Sequence, residues 1–435
     1  MPSSTAKALQ SPGPSTANRL EAYADVVGSE VVEQLRLLAS PLAGKKILHI
    51  NSTRTGGGVA EILEQMIPVM GELGLDATWE VIEGNADFYQ ATKGFHNGLQ
   101  GNVVDVPRVL LDAHHEVNRA NLARLGGMLA EADYVFVHDP QPAPLLALFL
   151  EANGNGKQHV RHVKWIWRCH IDASRPHRPI WRHLRPYLEQ YDASIFSLAN
   201  FAQPLPHPQY LIPPSIDPLS PKNIDLPDDD VAKIRMCFGI DPQRPMALQV
   251  SRFDWFKDPI GVIAAYRLAK KRLPLQLVLA GGTADDDPEG AEVLNAVREA
   301  ANDDPDIHIL SLPPDAHATI NALQRAADVV LQKSTKEGFG LTVTEALWKG
   351  KPVIGGNTGG ITLQIVDYHT GFLVDTPEGA AFRLRYLLTR PTLMKEMGST
   401  ARNFVREHFL ITRHLRDYLT LMLGLRKGDT THIEL

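Results

Sequence analysis

The chain has 435 residues, 44% of them hydrophobic and 22% charged, with a formal net charge of -6. That length exceeds what one hydrophobic core usually serves, so two domains are expected, and the acidic balance excludes a broad nucleic-acid surface, leaving only small anions as charged ligands. Cys169 and Cys237 are too few for a disulfide framework or a cysteine-rich zinc site, no apolar run approaches the ~20 residues of a membrane span, and the N-terminus lacks a charged-then-apolar signal pattern, so a cytoplasmic protein with no membrane partner is expected.

Residues 1–19 are rich in Ser, Pro, Ala and Thr, which predicts a flexible tail. From Leu20 to Leu38 apolar residues recur at helical spacing, and Lys45–Asn51 then reads as a short buried strand. The run Gly56-Gly57-Gly58 and a helix from about Val59 to Leu73 follow. Further strands are expected at Thr78–Ile82, Tyr134–His138, Val163–Cys169, Ala193–Leu198 and Tyr210–Pro213. The proline-rich passage Ile212–Pro221 suits a hinge, so residues 20–213 and 214–411 are read as two domains. In the second, strands are expected at Met246–Ser251, Gln276–Ala280, Ile307–Ser311, Val329–Gln332, Pro352–Gly355 and Gly371–Val374. Past Pro391 the chain reads as helix, and residues 412–435 are expected to cross back onto the first domain. Alternating strands and helices give an α/β class: two doubly wound, Rossmann-like halves facing a cleft. The acidic runs Asp228–Asp230 and Asp285–Asp287 read as solvated loops.

The segment from Lys336 to Leu347 carries the strongest chemical signal. Glu337 and Glu345 flank a glycine turn, Gly338-Phe339-Gly340, that opens a helix at Leu341 and Thr342. Such a turn aims unbonded N–H groups and the positive helix end at a phosphate, while the two carboxylates can accept from hydroxyls on either side. Phosphate in the middle and hydroxyls at both ends make a nucleotide-sugar footprint. Arg252 and Lys257 lie where the first strand of the second domain ends, on a loop that Asp258 as N-cap and Pro259 as first helical residue tie down. Two fixed cations there can neutralise a departing diphosphate. The triple glycine matches neither the Walker pattern, since no Gly-Lys-Ser/Thr follows, nor the dinucleotide Gly-x-Gly-x-x-Gly, since Val59-Ala60-Glu61 follows. His170 and the pair His138-Asp139 stand at strand ends of the first domain, and the remaining histidines have no metal-site spacing, so no metal is expected.

Together these residues resemble the retaining glycosyltransferases of the two-domain GT-B type, glycosyltransferase family 4, which includes glycogen, sucrose-phosphate and trehalose synthases. The resemblance runs from Lys45 to Leu425, and its most specific part lies in the first domain: Ile47–Thr53, Gly56–Glu61, Val81–Gly84 and Thr92–Asn102 are similar to the trehalose glycosyltransferring synthases. It implies transfer of glucose from UDP-, ADP- or GDP-glucose to free glucose, giving α,α-trehalose reversibly, with no cofactor, and a homodimer. By the same resemblance Arg252 and Lys257 meet the diphosphate, Glu337 the donor-sugar hydroxyls, Glu345 the ribose, and His170 the donor sugar near its 6-hydroxyl. The amides around Gly340, Leu341 and Thr342 would meet the phosphate, approached also by Gly57 and Gly58. Asn51, Glu83, Asn97, Gln100 and Asp139 are acceptor candidates.

The mechanism implied is front-face. The acceptor hydroxyl attacks the anomeric carbon on the side from which the diphosphate leaves, so the α configuration is retained without an enzyme nucleophile. Three other readings stay open. A trehalose phosphorylase would use inorganic phosphate in the same site, leaving a ribose-binding Glu345 without work. Another retaining GT-B glucosyltransferase would take a sugar phosphate or a glucan as acceptor; a sugar phosphate would need cations in the first domain, and Arg54 and Arg168 could serve. A non-catalytic nucleotide-sugar sensor would bind without turnover.

Overall fold

The computed structural model describes residues 18–55, 57–154, 162–282 and 288–427. The expected tail lies outside the described residues up to position 17, whereas Asn18 and Arg19 already start the first helix. The chain forms two compact units. Ser215 to Leu410 is one, and the chain before it joins the segment from Ile411 to make the other.

In the first unit six strands, β1 (Lys46–Asn51), β2 (Asp76–Val81), β3 (Tyr134–His138), β4 (Lys164–Arg168), β5 (Ala193–Phe196) and β6 (Gln209–Leu211), form one sheet. Its order is β2-β1-β3-β4-β5-β6 and every pairing is parallel. The central strands are buried along their length because helices cover both faces; β3 reads Tyr-Val-Phe-Val-His with no solvent-facing position. Leu48, Ile50, Val135, Val137, Trp165 and Trp167 anchor that core, each large side chain adding roughly 1.5–3 kcal/mol by burial. The C-terminal helix Ile411–Lys427 belongs to this unit. Arg413 donates to the carbonyls of Pro213 and Pro214 at 2.7 and 3.1 Å, and Tyr134 Oη donates to that of Met422 at 2.9 Å.

The helical stretch expected from Leu20 to Leu38 is two helices, Arg19–Val27 and Ser29–Ala39. Gly28 breaks it with φ 98°, a conformation that ends one helix and starts the next, while both halves keep the apolar spacing that suggested a single element.

The second unit repeats the design with β7 (Met246–Val250), β8 (Gln276–Gly281), β9 (Ile307–Ser311), β10 (Val329–Gln332), β11 (Val353–Gly356) and β12 (Gly371–Val374). The order is β12-β11-β10-β7-β8-β9, again all parallel. The chain direction across the sheet reverses between β7 and β10, the place where open α/β sheets leave a crevice at the strand ends. Asp228–Asp230 are not a loop: they fill the first turn of the helix Asp228–Cys237, where the helix dipole favours negative charge. Asp285–Asp287 lie outside the described residues.

Candidate active site

At the β7/β10 reversal two loops are tied by crossed ion pairs. Lys257, from the β7 loop, donates to Glu337 Oε2 at 2.7 Å, and Lys333, which follows β10, pairs with Asp258. Ser334 Oγ adds a bond to Glu337 Oε2 at 3.1 Å, and Thr335 N donates to Phe256 O at 2.8 Å. Asp258 caps the helix Pro259–Lys270 as expected, its Oδ1 accepting from Gly261 N at 3.0 Å. Lys257 is therefore fixed at low exposure. Arg252 differs: its side chain is 70% exposed and, among the described residues, pairs only with Asp254, at 3.2 Å. One cation is buried in an ion pair and the other stands exposed beside a single carboxylate.

Behind Glu337 the chain turns through Gly338 and Phe339 to Gly340, which has φ 84° and opens the helix Leu341–Trp348. Its first amides, including those of Leu341 and Thr342, have no intrahelical acceptor, and the positive helix end stands there. Glu345 sits one turn on. It is 2% exposed, and its Oε2 has no hydrogen-bond partner among the described residues. Burying a carboxylate oxygen without a donor is costly, so this atom is poised for a donor supplied from outside the chain.

Sequence reasoning missed the backing of this turn. Gly359 and Gly360 lie against it so closely that an added Cβ would stand 1.8 Å from Glu337 O and 2.4 Å from Phe339 Cα respectively, and Gly360 N donates to Glu337 O at 3.2 Å. The signal was in the sequence as Gly355-Gly356-Asn357-Thr358-Gly359-Gly360, too dense in glycine for an ordinary loop. Lys333 was also missed, because nothing local marks it as the partner of Asp258.

In the first unit the helix Gly58–Glu72 starts after Gly57, whose φ of 89° requires glycine although an added Cβ would meet nothing within 4 Å. The space beside this helix N-terminus is open at Gly57. Gly56 lies outside the described residues. Asn51 ends β1, but its amide is spent within the protein, donating to Thr53 O and accepting from Trp79 Nε1, both at 2.8 Å. Arg54 lies 4.2 Å over the Trp79 ring. Glu83 is bracketed through its backbone by Asn121, and its side chain is largely exposed, 3.7 Å from Arg124. Asn97 and Gln100 stand at the end of the helix Ala86–Leu99, half-buried. Their segment packs on the loop after His170: His177 N donates to Gly98 O at 2.7 Å, and Gly101 leaves no room for a Cβ against Arg175 O.

His170 follows β4 and is held by its own backbone. Asp139 Oδ1 accepts from His170 N at 2.7 Å, and Asp139 N donates to Arg168 O at 2.8 Å. Asp139 has φ 63°, and burial pushes its carboxyl up to about 7, opposed by the His170 N–H and the Arg168 charge. Its first role is to hold the His170 loop. Arg168 is fully buried; Nη2 reaches Ser197 Oγ at 3.4 Å, while Nε and Nη1 have no hydrogen-bond partner among the described residues. Desolvation keeps His170 and His138 well below the usual imidazole range, so both rings are neutral near pH 7. No group of three or more His, Cys, Asp or Glu among the described residues is arranged to hold a metal, and no described helix is long and apolar enough to cross a membrane.

Residues 49–203 match the family described as trehalose synthase, N-terminal domain, and residues 230–404 match glycosyl transferases group 1. Over 412 residues the chain is 43% identical to a trehalose synthase of Pyrococcus horikoshii, spanning 94% of this chain and 96% of the relative. The chain belongs to the trehalose synthase family. Its members are glycosyltransferases, and both units carry family sequence, including every residue placed above at the β7/β10 reversal and at His170. A trehalose phosphorylase of Pleurotus pulmonarius is more distant, 29% identical over 462 residues that span 94% of this chain and 61% of its own length. Among solved structures, a sucrose-phosphate synthase of Thermosynechococcus elongatus has a TM-score of 0.66 at 18% identity, covering 88% of this chain and 100% of that one, which is likeness of the GT-B fold alone.

Proposed function

We propose that this trehalose synthase family member is a retaining glucosyltransferase that makes α,α-trehalose, reversibly, from a nucleoside-diphosphate glucose and free glucose. The observation that carries the nucleotide is Glu345, whose buried Oε2 lacks a donor among the described residues, one turn beyond a phosphate-ready helix start. A ribose hydroxyl supplies such a donor without adding charge, whereas inorganic phosphate would bring a second anion to the buried carboxylate. In this reading Arg252 and Lys257 take the diphosphate with the amides of Gly340, Leu341 and Thr342. Glu337 accepts from hydroxyls of the donor sugar, and His170 bonds the same sugar. Gly57 and Gly58 offer a second helix N-terminus to the phosphates. Asn97, Gln100 and Glu83 remain acceptor candidates, while Asn51 and Asp139 act first by shaping the backbone around them.

The site contains cations and helix-end amides for the leaving group, and the proposed route needs no enzyme nucleophile. The acceptor hydroxyl attacks C1 on the face that the diphosphate leaves, the C1–O bond to phosphate breaks, and a phosphate oxygen takes the hydroxyl proton. Such a route relies on leaving-group stabilisation and positioning. The same reading places the enzyme in the cytoplasm as a homodimer that uses no metal.

An NMR time course with trehalose tests it. UDP, ADP or GDP added in separate phosphate-free tubes should give nucleoside-diphosphate glucose and free glucose in at least one. Glucose 1-phosphate appearing only with inorganic phosphate would instead establish a phosphorylase, and binding without turnover in every tube would establish a sensor.

A further inference from the structure

Three histidines from three neighbouring strands of the first unit stand in a row. His49 lies on β1, His138 ends β3 and His170 follows β4. Nδ1 of His49 is 3.0 Å from Nε2 of His138, and Nδ1 of His138 is 2.9 Å from Nε2 of His170. The rings stack with centroids 5.3 Å apart at both steps. His49 is closed off on the inner side by Phe136, at 4.7 Å and nearly parallel, and its Nε2 is buried without a hydrogen-bond partner among the described residues.

The row has a logical consequence. Burial lowers the pKa of all three rings far enough that each is neutral near pH 7. A neutral imidazole has one N–H and one lone pair. His138 is bonded at both nitrogens, so it donates one way and accepts from the other, and its neighbours must comply. A proton on Nδ1 of His138 obliges Nε2 of His170 to be bare and Nδ1 of His170 to carry N–H; a proton on Nε2 of His138 reverses all three. Nδ1 of His170 is the one nitrogen of that residue with no partner among the described residues, and its character therefore follows from which nitrogen of the adjacent His138 ring carries the proton.

We propose that His138, backed by His49, is a positioning residue that locks His170 into one ring orientation and one neutral tautomer, so that the donor sugar meets an Nδ1 of fixed hydrogen-bonding character. The proposal rests on the reading that His170 contacts the donor sugar. It explains why two imidazoles are buried in the sheet at this point, where apolar side chains would pack at lower desolvation cost. Asp139 holds the His170 backbone and the histidine row holds its ring, so the two devices act on different parts of one residue.

The test compares His138→Phe, which keeps the ring stack and removes both bonds, with His138→Asn, whose amide can stand where Nδ1 does and bond His170 again. Turnover should fall by up to about a hundredfold in His138→Phe, the scale of a misplaced catalytic contact, and return most of the way in His138→Asn. Ring-nitrogen NMR of the full-length protein should give His170 one protonated and one bare nitrogen in the wild type and an averaged pair in His138→Phe. Averaged nitrogens in the wild type, or full turnover in a folded His138→Phe variant when His170→Ala is impaired, would overturn the lock. Full turnover in His170→Ala would instead overturn the reading of His170 as a sugar contact, and the nitrogen spectrum would still decide whether the lock exists.

Discussion

Glu337 Oε2 accepts from Lys257 Nζ at 2.7 Å although 80 residues separate the two. The bond joins loops leaving adjacent strands, and both side chains are mostly buried. Arg252, five residues from Lys257, has a largely exposed side chain. The two cations should fail differently when removed. Arg252→Ala should lose turnover on the order of a hundredfold, the usual cost of one preorganised charge donor, with an unchanged melting temperature. Lys257→Ala should lose turnover and also stability, about 3–5 kcal/mol, because it leaves a buried carboxylate uncompensated. Steady-state kinetics beside thermal melts of both variants check this, and equal melting temperatures would contradict it.

Glu345 should respond in the opposite sense. Glu345→Gln keeps the shape and removes a buried charge whose Oε2 has no donor among the described residues, so the apo protein should melt no lower than the wild type. If the carboxylate accepts from ribose, KM for the nucleotide sugar should rise by tenfold or more, since a hydrogen bond to a charged group contributes about 1.5–3 kcal/mol, while kcat changes little. A lowered melting temperature with unchanged KM would mean that Glu345 is structural.

Asp139 gives a pH dependence whose sign can be worked out. Its carboxyl is pushed up to about 7 by burial, against about 3.9 in the unfolded chain. Between those values the folded state holds the proton more tightly, so this residue's contribution to stability is full below about pH 4 and is lost as pH rises through 7. Asp139→Asn tolerates the left-handed backbone and keeps an acceptor for His170 N. The melting temperature of wild type minus that of the variant should fall from pH 4 to pH 8; a difference that rises would contradict the burial account.

The glycines behind Glu337 can be tested against a distant control. Gly359 and Gly44 both have positive φ, 46° and 69°, but only Gly359 is crowded: a Cβ there would meet Glu337 O, and one at Gly44 would meet nothing within 4 Å. Alanine at either position carries roughly 1–2 kcal/mol of backbone strain. Gly359→Ala should also displace the Glu337 turn and abolish most activity, whereas Gly44→Ala should keep normal kcat and KM. Equal kinetics in the two variants would remove the turn from the site.

Most of the strands were legible because their buried runs are short, continuous and bounded by turn residues; Tyr134–His138, Ile307–Ser311, Val329–Gln332 and Gly371–Val374 coincide with the observed elements. The Lys336–Leu347 segment was legible as well, since a glycine turn before a helix is a local feature. What sequence left hidden is long-range. Lys333 finds Asp258, and His49 finds His138 and through it His170, across distances in the chain that only the sheet order closes. Gly28 was hidden for a different reason: a single glycine inside a regular apolar pattern does not disturb the period, yet its φ divides the helix. The acidic run at Asp228 was misjudged because charge pattern alone does not separate a loop from a helix start.

Glucosyl transfer to free glucose with retained configuration can be read directly from the product. Nucleoside-diphosphate glucose labelled with carbon-13 at C1, mixed with unlabelled glucose and the purified protein, tests it in one spectrum. The first new labelled anomeric signal should be that of α,α-trehalose, with label in one ring only. A labelled β-linked disaccharide, or labelled free glucose without disaccharide, would contradict it.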